Sequence, residues 1–272
     1  MKKLIAMLLV LAMVLSFAAC AKKDTVTPTV ADVTITTAAA DPTPAAETEA
    51  SDPAPVVTGM SHADYVAADN ETEVVVETYV QAHQSWWDNK VTVYCQSPDG
   101  AYFLYELACS EEDAAKLVPG TKIRVTGFKG EWSGEVEIMD GTFEFVEGGD
   151  TYVAEALDVT DLLGTDELID HQNEFVSFTG LTVAPSTDAN GNEAAFLYNW
   201  DGSGEKGNDL YFNVTVNGQT YNFCVESYLC GQDTEVYQAV EALQIGDVIN
   251  AEGFLYWYEG VNPHITSVSA AN

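Results

Sequence analysis

The sequence predicts an all-β protein with short helices, in which one five-stranded Greek-key barrel unit occurs twice in tandem. Three observations lead there. The run Leu117-x-x-Gly120-x-x-Ile123-x-x-x-Gly127-Phe128 returns as Leu243-x-x-Gly246-x-x-Ile249-x-x-x-Gly253-Phe254, 126 positions later. Around each copy lie short segments that alternate apolar and polar residues, as half-buried strands do. In both halves these segments follow one order: three strands, a short helix, then two strands. A self-similarity at fixed offset marks a repeated structural unit.

In the first copy, Glu73 to Val80 and Lys90 to Cys95 alternate in this way. Ser97-Pro98-Asp99-Gly100 supplies a turn, with Pro presetting φ and Gly tolerating positive φ, and Ala101 to Leu107 runs back. Ser110 can cap a helix over Glu111 to Leu117 by accepting from its free N–H groups. Ile123 to Gly127 and Val136 to Ile138 complete a strand pair. In the second copy the matching pieces are Glu174 to Val183, Leu210 to Val216, the turn Asn217-Gly218, and Thr220 to Glu226. A helix around Thr234 to Leu243 and strands at Val248 to Gly253 and Ile265 to Val268 follow. Ser61 opens a further short helix, and Asp158 to His171 is the expected junction.

This order resembles the OB-fold, a five-stranded Greek-key barrel with its helix between the third and fourth strands. The Gly-x-x-Ile-x-x-x-Gly run resembles that family's fourth strand, where Gly lets a barrel strand bend. The whole folded part is similar to the tandem OB-like exported lipoproteins of Gram-positive bacteria, a family of no settled function. The expected domains are 61–160 and 161–272. The resemblance implies no catalytic motif.

The N terminus carries a different message. Lys2 and Lys3, an apolar stretch from Leu4, and small residues before Cys20 read as a secretory signal over 1–19. Phe17-Ala18-Ala19-Cys20 resembles the bacterial lipobox, with Phe where that family usually has Leu, Val or Ile. The resemblance implies lipid on Cys20, a membrane contact through that lipid, and an extracytoplasmic, lipid-anchored location. Residues 20–60, rich in Thr, Ala and Pro, read as a tether that cannot bury enough apolar surface to fold.

The chain has 43 acidic and 10 basic residues, a formal charge of −33, and one arginine, Arg124. Affinity for nucleic acid grows with the phosphates that Lys and Arg neutralise, so nucleic acid is the partner that charge supports least. Cys95, Cys109, Cys224 and Cys230 permit disulfides outside the cytoplasm without compelling any.

OB barrels usually bind on the face of strands two and three, beside the loops after strands one and four. Trp86 and Trp87 fall in the first such loop, Trp132 follows the fourth strand, and Trp257 and Tyr258 take the corresponding place in the second copy. Stacking rings there make a non-enzymatic module for an extracellular glycan or protein the leading expectation. The competing reading has these rings plug barrel ends or join the domains. An exported hydrolase acting on a glycan through paired carboxylates is the alternative function. No catalytic residue or cofactor is assigned. Asp188, Asn190 and Asn192 alternate oxygen-bearing side chains as calcium loops do, but their Gly is displaced from the place such loops require.

Overall fold

The computed structural model describes residues 59–271. The expected signal segment, Cys20 and the tether as far as residue 58 lie outside the described residues. Among those described, no helix is long and apolar enough to cross a membrane.

The chain begins with α1 (His62–Ala67), capped by the Ser61 hydroxyl, which accepts from the Asp64 amide. The first barrel follows: β1 (Glu73–His83), β2 (Lys90–Ser97), β3 (Gly100–Ala108), the helix α2 (Glu111–Ala114), β4 (Lys122–Trp132) and β5 (Glu135–Phe145). Its strands close in the order β1-β2-β3-β5-β4, with β1 and β4 antiparallel and β3 and β5 parallel. Alternating valines of β1 enter the core with Leu104, Leu107, Leu117, Ile123 and Ile138. The period-two pattern of the sequence is thus the barrel's inside and outside.

A short strand β6 (Leu157–Asp158) and two 3-10 turns, Thr160–Leu162 and Asp166–His171, lead to β7 (Phe175–Ala184). This junction packs on the second core through Val159, Leu163 and Leu168. The connection after β7 contains β8 (Ser186–Thr187), β9 (Glu193–Ala194) and β10 (Leu197–Tyr198). Then come β11 (Leu210–Val216), β12 (Gln219–Val225), α3 (Glu235–Glu241), β13 (Val248–Phe254) and β14 (His264–Ala270). Here β7 pairs with β11 and β13, while β14 lies between β12 and β13, so five strands again close a ring, with β12 parallel to β14. Both copies are OB-fold barrels.

The repeated run occupies like places in both. Gly120 N–H donates to Val80 O at 2.8 Å, and Gly246 N–H to Val183 O at 2.9 Å. Both glycines adopt positive φ, 86° and 95°. Gly127 and Gly253 sit where β4 and β13 shift register against their last strands, and a Cβ at either would collide with the facing strand. A strand that must bend over its neighbour at that point needs the missing side chain.

Candidate functional site: an aromatic groove between the barrels

The β1–β2 connection ends in a tight turn. Trp87 and Lys90 exchange backbone bonds of 3.1 and 2.9 Å, and Asp88 and Asn89 both take positive φ. Asp and Asn tolerate that conformation, and two such residues in succession make a primed hairpin turn. It lifts the Trp87 ring, 72% exposed, above the β2–β3 face. Beneath it β3 contributes Tyr105, 44% exposed, and the second barrel contributes Tyr228, 62% exposed. The three rings border a groove of about 270 Å³, with Gln84, Thr92, Lys90 and Glu106 supplying its polar groups.

Tyr228 arrives by tertiary packing. Its carbonyl accepts from the Ser85 amide at 2.7 Å and the Ser85 hydroxyl at 3.2 Å. Its own amide and that of Leu229 donate to Glu226, and Ser227 is held by Asp209 at 2.6 Å. Burial pushes the Glu226 carboxyl up to about 7. The groove is therefore composite, with both barrels needed to form it.

Charge in the groove is nearly balanced. Lys90 donates to Glu106 at 2.6 Å, which holds its ammonium above the usual lysine range. Elsewhere Lys122 and Arg124 pair with Glu77, Lys116 with Glu112 and Asp113, and Lys206 with Glu241. Lys129 is buried and donates to the carbonyls of Val66 and Ala68. Every Lys and Arg among the described residues is thus engaged by the protein itself.

The expected site residues divide. Trp87 lies in the groove. Trp86 packs half-buried on the first core and donates its indole N–H to Cys109 O at 2.9 Å. Trp132 is 60% exposed at the far end of β4, away from the groove, and Tyr258 is exposed beside the Trp257 turn. Trp257 is half-buried against the second core, and its ring lies where a Cβ on Gly134 of the first barrel would be 2.8 Å from it. It serves the contact between barrels. Sequence reasoning missed Tyr105 and Tyr228, and also Trp200, which is 76% exposed on the long connection of the second barrel. Nothing local to Tyr228 marked it; only the folded arrangement brings it to Ser85.

Asp188 spends its carboxylate on its own loop, accepting from the amides of Asn190 and Asn192 and from the Asn192 side chain. Those bonds hold it below the usual carboxylate range. Among the described residues no three His, Cys, Asp or Glu side chains are grouped to hold a metal. The four described thiols are free and buried. Two neighbouring carboxyls are raised by burial, Glu135 to about 8 and Glu137 to about 7, but neither lines the groove.

No protein-family model and no curated protein matches the chain. Its fold is similar to several solved structures at low identity. One is the Ifi202 HINa domain in complex with double-stranded DNA: 10% identity, TM-score 0.33, covering 75% of this chain and 97% of that one. Another is a murine DNA binding protein bound with double-stranded DNA: 11% identity, TM-score 0.36, covering 73% and 96%. A third is a Replication Protein A heterotrimer bound to single-stranded DNA: 9% identity, TM-score 0.28, covering 75% and 49%. Where the sequence reading placed a glycan or protein first and nucleic acid last, these three structures are complexes with DNA. The class the strand order defines is a tandem OB-fold protein.

Proposed function

We propose that the groove takes an unpaired nucleobase, from a short single strand or a free nucleotide, by stacking on Trp87, Tyr105 and Tyr228. One observation carries this reading: three exposed rings from two barrels border one groove at the end of the β2–β3 pair formed by Lys90, Thr92, Tyr105 and Glu106. A base has a flat π face of matching size, and base–aromatic stacking contributes roughly 1–3 kcal/mol per base. The charge pattern shapes the mode of binding. With Lys90 as the one cation at the groove, and that already paired with Glu106, phosphate recognition is minor and a long duplex is repelled.

The test is a titration of Trp fluorescence in the purified protein with oligothymidylate, thymidine monophosphate and duplex DNA at low and high salt. Quenching by the first two that is lost in W87A and changes little with salt supports the reading. A steep fall in affinity with salt, preference for duplex, or no binding of any of the three overturns it. Quenching by the oligomer alone assigns the site to a strand; equal quenching by the monophosphate assigns it to a nucleotide.

The basic start, the apolar stretch and Cys20 further support an extracytoplasmic, lipid-anchored location as a proposal. Mass measurement of the mature N-terminal peptide checks it: an acylated Cys20 is expected, and an intact Met1 or an unmodified Cys20 refutes it.

A further inference from the structure

Glu106 stands inside β3 in a conformation that glutamate rarely takes. Its φ is 49°, in the left-handed region where glycine, asparagine and aspartate are the usual residues. The cause is a bulge. Val91 pairs with Leu107 and Val93 with Leu104, so Thr92 alone faces both Tyr105 and Glu106. Leu104 and Leu107 both enter the first core, and one extra residue breaks the strict alternation between them. Tyr105 and Glu106, neighbours in sequence, therefore share the outer face, and both line the groove. The Thr92 hydroxyl accepts from the Glu106 amide at 3.2 Å, holding the bulge at its centre. Glu106 Oε2 accepts from Lys90 Nζ at 2.6 Å. That ion pair is half exposed and contributes little to folding, so neither the backbone nor the fold asks for a glutamate at this position.

We propose that this bulge makes the groove a guanine site, in which Glu106 and Lys90 meet the polar edge of the base while the rings hold its faces. The inference rests on the nucleobase reading above and adds which base is chosen. The rings are indifferent to identity, because every base has a π face; the edge decides. Lys90 and Glu106 set a group of N–H donors beside a carboxylate that only accepts. Guanine offers the matching order along its Watson–Crick edge: O6 accepts, and N1–H and the N2 amino group both donate. The carboxylate takes two parallel N–H bonds from N1 and N2, in the bidentate manner in which it takes a guanidinium. Lys90 has further N–H groups for O6 beyond the one given to Glu106. Thymine matches worst, because its single N3–H lies between O2 and O4 and one of those oxygens must face the carboxylate. Adenine and cytosine each bring one amino group to Glu106 beside an acceptor ring nitrogen, so the second bond to the carboxylate is missing. Burial and the adjacent Glu106 carboxylate push the Tyr105 hydroxyl up, so it stays protonated and adds a donor to that edge instead of a second negative charge.

The test is a titration of Trp fluorescence in the purified protein with guanosine, inosine and thymidine monophosphates, for wild type, E106Q and E106G, with thermal unfolding of each. Inosine keeps O6 and N1–H and lacks the N2 amino group, so it isolates the second bond to the carboxylate. The expected order of affinity is guanosine, inosine, thymidine, with guanosine preferred to thymidine by roughly tenfold. E106G should abolish that preference, and E106Q reduce it, since an amide keeps one acceptor oxygen and lacks the second. A general change in phosphate attraction, such as the release of Lys90 in either variant, moves all three nucleotides alike and leaves their ratio untouched. E106G should also keep or raise the Tm, because glycine takes this φ freely. Equal affinities in wild type, or a preference that survives E106G, overturn the guanine site and leave the stacking groove standing. No binding of any nucleotide overturns both. A marked fall in the Tm of E106G makes Glu106 a folding residue and overturns the assignment as well.

Discussion

The two barrels share a strand order and differ in how their first two strands are joined. In the first, six residues from Gln84 to Asn89 connect β1 to β2 and end in a two-residue turn beside Trp87, where the start of β2 and the end of β3 border the groove, while Tyr94 and Phe103 farther along those strands are buried against Phe254 and Tyr256 of the second barrel. In the second, residues 185–209 connect β7 to β11 and build β8, β9 and β10 on the way. β10 pairs with the start of β11, and Phe196 and Tyr198 close over the second core. The short connection leaves this end of the first barrel's face free, and the long one covers the edge of its own barrel. The second barrel then contributes to the groove from outside, by lending Tyr228.

If the repeat is structural, its glycines should be the positions at which both barrels break most readily, and unequally. A Cβ at Gly253 would stand 2.2 Å from His264 O, a backbone atom, whereas at Gly127 the nearest atom is a side-chain methyl of Ile138 at 2.7 Å. G253A should therefore lose about 3 kcal/mol or more and G127A about 2 kcal/mol, read from chemical denaturation. G246A meets open space and carries only the strain of positive φ, about 1 kcal/mol. Equal losses in all three would dissolve the distinction between bend and turn. The leucine that opens the repeat gives the next contrast. Leu117 is fully buried and Leu243 half-buried, so L117A should cost about 3 kcal/mol and L243A about half that.

The barrels were legible in the sequence because a bend and a turn each demand glycine, and because alternation records which side of a strand faces the core. The same logic located Trp87, since the loop after the first strand borders the OB face. It failed for Tyr228, whose place depends on the Ser85 bond across more than a hundred residues, and for Glu106, which reads as one acid among 43. Trp86 and Trp257 show the other side of the difficulty. A tryptophan predicted on a loop can turn inward to a single carbonyl, as Trp86 does at Cys109, or become the packing between domains. Net charge also says little about a stacking groove, which can recruit a ring without many cations.

Sensitivity to rising pH should separate the halves further. Glu226, half-buried after β12, is raised to about 7 by burial. Its folded pKa exceeds its usual 4.5, so the sensitivity is to rising pH: its contribution to stability is full below pH 4.5 and is lost as pH rises to about 7. E226Q should flatten that part of the thermal profile, and an unchanged slope between pH 4.5 and 7 would remove Glu226 from the account. The same variant keeps an acceptor for Leu229 N, so the groove should survive it.

The smallest contrast is at the helix caps. Ser110 accepts from Asp113 N at 3.1 Å and Thr234 from Tyr237 N at 3.4 Å, each satisfying a free donor at the start of the barrel's helix. Replacing either by Ala should cost about 1 kcal/mol. The longer bond makes the Thr234 cap the weaker of the two, yet α3 buries Val236, Tyr237 and Val240 while α2 buries only Ala114. Loosening α3 therefore disturbs more apolar surface, and Tyr237 also links the helix to the long connection by donating to Asn208 O at 2.7 Å. T234A should consequently destabilise at least as much as S110A in denaturant titration. A clear excess for S110A would mean that cap geometry, rather than what the helix carries into the core, sets the value of these two short helices.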